Sequence, residues 1–221
     1  MLDLGQAIAA IGGLGTAAFG LVDATKPVSG INHLGFSGIR KAVGQLMPGN
    51  DAANALSHSK IFATLEANWM NGTDLGSQKA IAKSLINLNL NQDNAEGVAI
   101  AAGIDRDVLP IVARKVASGE KLTEAESDVF GRFDLIVTAL LDEAYQRADR
   151  SYRNGTRLLA MFVSVILALA GAWSIGTHGK EWGQWGQALL VGLLATPLAP
   201  IAKDASTALA TAVNALQAVK K

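Results

Sequence analysis

From Leu158 to Ile175 the chain reads LLAMFVSVILALAGAWSI, a run with no charge and nothing more polar than Ser. Such a run is about as long as a helix needs to cross the hydrocarbon core of a bilayer. A second apolar run, WGQWGQALLVGLLATPLAPIA, extends from Trp182 to Ala202 and is stopped by Lys203 and Asp204. The connection between them is so short that two helices there are expected to be antiparallel neighbours. A soluble fold would have to bury both runs, and the rest of a 221-residue chain is too small to wrap them. The expected fold is therefore all-α: an integral membrane protein with a C-terminal transmembrane helical hairpin over residues 157–202.

Flanking charge orients the hairpin. Arg147, Arg150, Arg153 and Arg157 crowd the entrance to the first run, and Lys203, Lys220 and Lys221 follow the second, whereas the connection offers only His178, Lys180 and Glu181. By the positive-inside rule the open end faces the cytoplasm. Arg150, Arg153 and Arg157 then sit at the inner interface, and Trp173, Trp182 and Trp185 cluster at the outer one, where an amphipathic indole ring is favoured. Pro197 and Pro200 each remove a helical hydrogen bond, so a kink or break is expected near Thr196. Residues 203–221 place Ala205, Ala208, Leu209, Ala212, Val213 and Leu216 on one stripe, the pattern of an amphipathic C-terminal helix.

Near the amino terminus LGQAIAAIGGLGTAAFGLV lies uncharged between Asp3 and Asp23. Gly5, Ala9, Gly13 and Ala17 recur every four residues, with Gly12, Thr16 and Gly20 beside them. Small residues at that spacing let helix backbones approach closely within a bilayer. Residues 1–23 thus read as a Gly/Ala-rich helix that either spans the membrane or packs against protein. A secretory signal does not fit, because no Lys or Arg precedes the apolar stretch.

Between these membrane segments a small cytoplasmic helical domain is expected over residues 24–122. Residues 24–48 read as a linker punctuated by Pro27, Gly30, Gly35, Gly38, Gly44 and Pro48. Four short helices follow, over Asp51–Trp69, Ser77–Leu88, Asn91–Ala102 and Asp105–Ala117, the last two ended by Gly103 and Gly119. Thr123 and Glu126 form a capping box, opening an amphipathic stalk over 123–156 with Phe133, Val137, Leu140, Leu141, Ala144 and Ala148 along one stripe. Unless Asn154-Gly155 breaks it, one rod of roughly 80 Å runs from Thr123 to Ile175.

The chemistry-bearing residues do not assemble into a motif. His33, His58 and His178 are isolated from other ligand types, and Asp105-Arg106-Asp107 lies where a helix begins and acids complement its dipole. Ser57-His58 lacks a nucleophile elbow, and Gly30 to Lys41 lacks the ending of a phosphate loop. The absence of Cys excludes disulfides and thiolate chemistry. A net charge of zero gives nucleic acid no basic surface. Neither hairpin run carries a titratable group of the kind that ion-coupled carriers bury. No cofactor, metal or small-molecule substrate is expected. What remains is a non-enzymatic protein with membrane lipid and further copies of itself as partners, forming a homo-oligomeric scaffold. The alternative is an oligomeric channel or pore subunit whose lumen Gly12, Thr16 and Gly20 would line.

Overall fold

The structure is a computed structural model that describes residues 4–48, 57–174, 183 and 185–201, leaving aside the side chains of 4–7 and 27–29. It is helical, with no strand among the described residues. The helices are α1 (Leu4–Ser29), α2 (Phe36–Gln45), α3 (His58–Met70), α4 (Leu75–Asn89), α5 (Ala95–Ala102), α6 (Leu109–Ser118), α7 (Glu124–Ser174) and the apolar α8 (Trp185–Ile201). The chain divides into two compact units, Asn32–Tyr152 on one hand and Met1–Ile31 with Arg153–Lys221 on the other.

The Asn32–Tyr152 unit has a conventional apolar core. Phe36, Ile39 and Val43 of α2, Ile61 and Leu65 of α3, Ala82 and Ile86 of α4 and Phe133, Val137, Leu141 and Tyr145 of α7 are buried in one cluster. Their spacing of three or four residues is what puts each set on one helix face. Full burial of a large apolar side chain is worth about 1.5–3 kcal/mol, so this cluster is the main source of the unit's stability. Ion pairs stitch the helices at the rim: Lys79 with Asp142, Lys83 with Asp134 at 2.6 Å, and Lys115 with Glu126 at 2.8 Å.

Two expectations change here. The expected linker over 24–48 is largely helical: α1 continues through Pro27 to Ser29, a 3-10 turn covers Ile31–His33, and α2 follows. Gly35 opens α2 with a φ of 89°, and a Cβ there would lie 2.4 Å from the Ala148 carbonyl oxygen, so its role is close approach to α7. The expected stalk over 123–156 is, up to Tyr152, a core helix of the unit, since Phe133, Val137, Leu141, Tyr145 and Ala148 are buried. The capping box is present: Thr123 N–H donates to the Glu126 carboxylate at 2.7 Å, and Glu126 N–H to Thr123 Oγ1 at 3.3 Å. From there α7 runs without interruption through Asn154 and Gly155.

The helices over 75–89, 95–102 and 109–118 fall where the periodicity puts them, but α5 and α6 start about four residues late. Asn91 Oδ1 accepts from the N–H groups of Asp93 and Asn94, and Asp105 Oδ1 from those of Asp107 and Val108, so each polar side chain holds a turn ahead of its helix. The start expected at Asp51 lies outside the described residues, as does the C-terminal helix over 203–221.

Candidate apolar surface and small-residue seam

Among the described residues, two helices are long and apolar enough to cross a membrane: α1, over Ile8–Lys26, and α7. Only 22% of the apolar window of α1 and 11% of that of α7 is buried within the chain, in contrast to the core-forming part of α7 before Arg153. Leu158, Phe162 and Ile166 recur every four residues on α7 and are exposed, at 66%, 63% and 49%. Trp173 follows them, and α8 adds Leu189, Leu190, Leu193, Leu194 and Ile201, all exposed. Exposed large apolar residues thus recur along both helices. The charged residues described in this unit are Asp23, Lys26, Arg153 and Arg157, and none falls within the uncharged runs.

Beneath that surface the helices meet through small residues. Ser164 on α7 is fully buried, its hydroxyl 2.6 Å from the Gly192 carbonyl oxygen, 2.8 Å from that of Met161 and 3.2 Å from Thr196 Oγ1. A Cβ on Gly192 would lie 2.6 Å from Val165 Cα, so α8 rests directly on the α7 backbone. Toward the other end, the Trp173 and Trp185 rings meet edge to face, 6.5 Å apart. The paired positions fall on α8 as they rise on α7, which makes these stretches antiparallel. Gly15 of α1 joins the same seam, since a Cβ there would lie 2.2 Å from the Ala195 carbonyl oxygen. Ala18, Val22, Ala160, Ala195 and Ala199 are buried alongside.

The seven small residues singled out from sequence do not share one fate. Gly12 is buried, whereas Ala9, Gly13, Thr16, Ala17 and Gly20 are exposed, and a Cβ on Gly13 or Gly20 would meet nothing within 4 Å. Thr16 turns its hydroxyl back onto the Gly12 carbonyl at 2.9 Å. Gly5 lies in α1, but its surroundings are outside the described residues, as is Trp182. Arg150, Arg153 and Arg157 are exposed on α7, and Pro197 and Pro200 are exposed on α8, which stays helical through both, so no break occurs near Thr196. Gly15, Ser164, Gly192 and Thr196 were not singled out from sequence, although Gly192, Thr196 and Pro200 repeat the four-residue spacing already noted in α1.

His178 lies outside the described residues, and the other polar candidates singled out above serve local structure. His33 Nδ1 lies 3.2 Å from Glu66, the His58 ring stands edge-on to Phe62, and Asp105 holds the turn before α6. The Glu126 carboxyl is held below its ordinary range, first by the Lys115 ammonium and then by the Thr123 N–H. Comparison with known proteins finds no match among family models, curated proteins or solved structures.

Proposed function

We propose that the chain is a non-enzymatic, multi-pass membrane protein that self-assembles into a homo-oligomeric scaffold, with α8 and the last part of α7 forming a transmembrane hairpin. In this reading the Asn32–Tyr152 unit is cytoplasmic, on the side marked by the arginines ahead of Leu158. The observation that carries the reading is the exposed belt of Leu158, Phe162, Ile166, Leu190, Leu194 and Ile201 around a seam of small residues. In lipid such a belt is solvated rather than stranded, and close packing through small residues is how helices hold together there. The scaffold part draws on the face of α1 bearing Ala9, Gly13, Ala17 and Gly20, which the chain leaves open while spending Gly15 on its own seam. A non-enzymatic role is supported by the use made of Lys83, Asp134, Lys115, Glu126 and Asp74, which go into ion pairs between helices and into a cap.

The test has two stages. The full-length chain should remain in the membrane pellet after alkaline carbonate washing, and recovery of a monodisperse protein without detergent would sink the membrane reading. In nanodiscs the wild type should be oligomeric, and Gly13→Leu/Ala17→Leu should lower its mass to that of the protomer. A monomeric wild type, or an unchanged oligomer in the variant, would end the scaffold reading. Dye release from liposomes carrying the wild type would turn it toward a pore.

A further inference from the structure

The chain passes between its two compact units twice, entering the Asn32–Tyr152 unit at its first residue and leaving it at its last. Both passages meet the same side chain. The Trp69 indole N–H donates to the Asn32 carbonyl at 2.8 Å, and the Trp69 ring stands edge to face with Tyr152, 6.2 Å between centroids. One turn earlier on α3, the Glu66 carboxylate lies 3.2 Å from His33 Nδ1, so the end of α3 holds two successive residues of the first passage. The passages also touch each other, since a Cβ on Gly35 would strike the carbonyl group of Ala148, one turn ahead of Tyr152 on α7. Trp69 is only partly buried and packs against the edge of the core, so its two contacts can part without the core opening.

We infer that Trp69 is a clasp between the two passages, which holds α2 against α7 at Gly35 and Ala148 and releases that contact when the clasp is lost. One side chain thereby ties the segment that follows α1 to the middle of α7, and a change at the end of α3 reaches both at once. The inference is independent of the membrane and scaffold readings.

The chain has no cysteine, so one introduced thiol reports one position. Ala148→Cys puts it at the contact with Gly35, where the native residue is 2% exposed, and Ala82→Cys puts a control on the core face of α4. A buried thiol reacts only through transient opening, so its rate of labelling by a small thiol reagent follows the open population. Rates are compared in the full-length chain in detergent, with Trp69 in place and with Trp69→Phe, which keeps a ring for Tyr152 and loses the donor to Asn32. Position 148 should label about fivefold faster in Trp69→Phe, the factor for one lost hydrogen bond, and faster still in Trp69→Leu, while position 82 keeps its rate. An unchanged rate at position 148 in Trp69→Phe overturns the inference, whatever Trp69→Leu does. Equal acceleration at position 82 overturns it as well, because Trp69 would then serve the stability of the whole unit. So does a thiol at position 148 that, with Trp69 in place, labels as fast as one in the exposed Gly131→Cys.

Discussion

Tyr145 lies in the core of the Asn32–Tyr152 unit with its hydroxyl buried and without a hydrogen-bond partner among the described residues. Burial pushes its pKa up to about 12, because the phenolate would have to form away from water. An unsatisfied buried polar group costs about 1–3 kcal/mol, so Tyr145→Phe should stabilise the protein. Calorimetry on the full chain in detergent checks this, with a raised unfolding temperature expected and a lowered one counting against the unpaired hydroxyl. Glu126 points the other way. Its folded pKa is depressed, so its contribution is present above the ordinary value of 4.5 and is lost as the pH falls through the lower folded value. Helix loss followed by circular dichroism should therefore show an acid-dependent step below pH 4.5 that Glu126→Gln flattens.

Among the helices, α8 is the one whose placement depends most on a single missing side chain. Gly192→Ala would drive a Cβ to 2.6 Å from Val165 Cα, against backbone that has nowhere to go. Overpacking of this kind costs about 1–3 kcal/mol. The expected outcome is a lower unfolding temperature in detergent for Gly192→Ala and no loss for Gly13→Ala, whose Cβ meets nothing within 4 Å. Equal behaviour of the two would mean that α8 does not rest on α7 through this residue. The contrast also marks what could be read from sequence. The course of α7 was legible because a capping box opens it and apolar residues recur along it for several turns. By contrast, α2 was obscured because Gly35, Gly38 and Gly44 read as loop, although Phe36, Ile39 and Val43 keep a helical spacing among them. The face of α1 that packs within the chain was not legible either, because Gly and Ala stud every side of that helix. Periodicity identifies a packing face only where small and large residues alternate around the axis. Gly15 and Ser164 owe their roles to partners more than twenty-five positions away, which local spacing cannot name.

Taken as one chain, the protein separates its side chains by kind. Core packing and ion pairs dominate Asn32–Tyr152, while the other unit leaves many of its described large apolar residues exposed, Leu158, Phe162 and Leu190 among them. The division falls inside α7, between Tyr152 and Arg153, with no loop to mark it. Cutting the chain there to obtain a freely soluble piece would sever a continuous helix. The carbonyls of its last four residues would lose their amide donors, and Tyr152, whose ring meets Trp69 edge-on, would become a fraying terminus. Helical continuity thus ties the solubility of one part to the presence of the other, and a fragment meant to dispense with detergent would need a new C-terminal cap built into it.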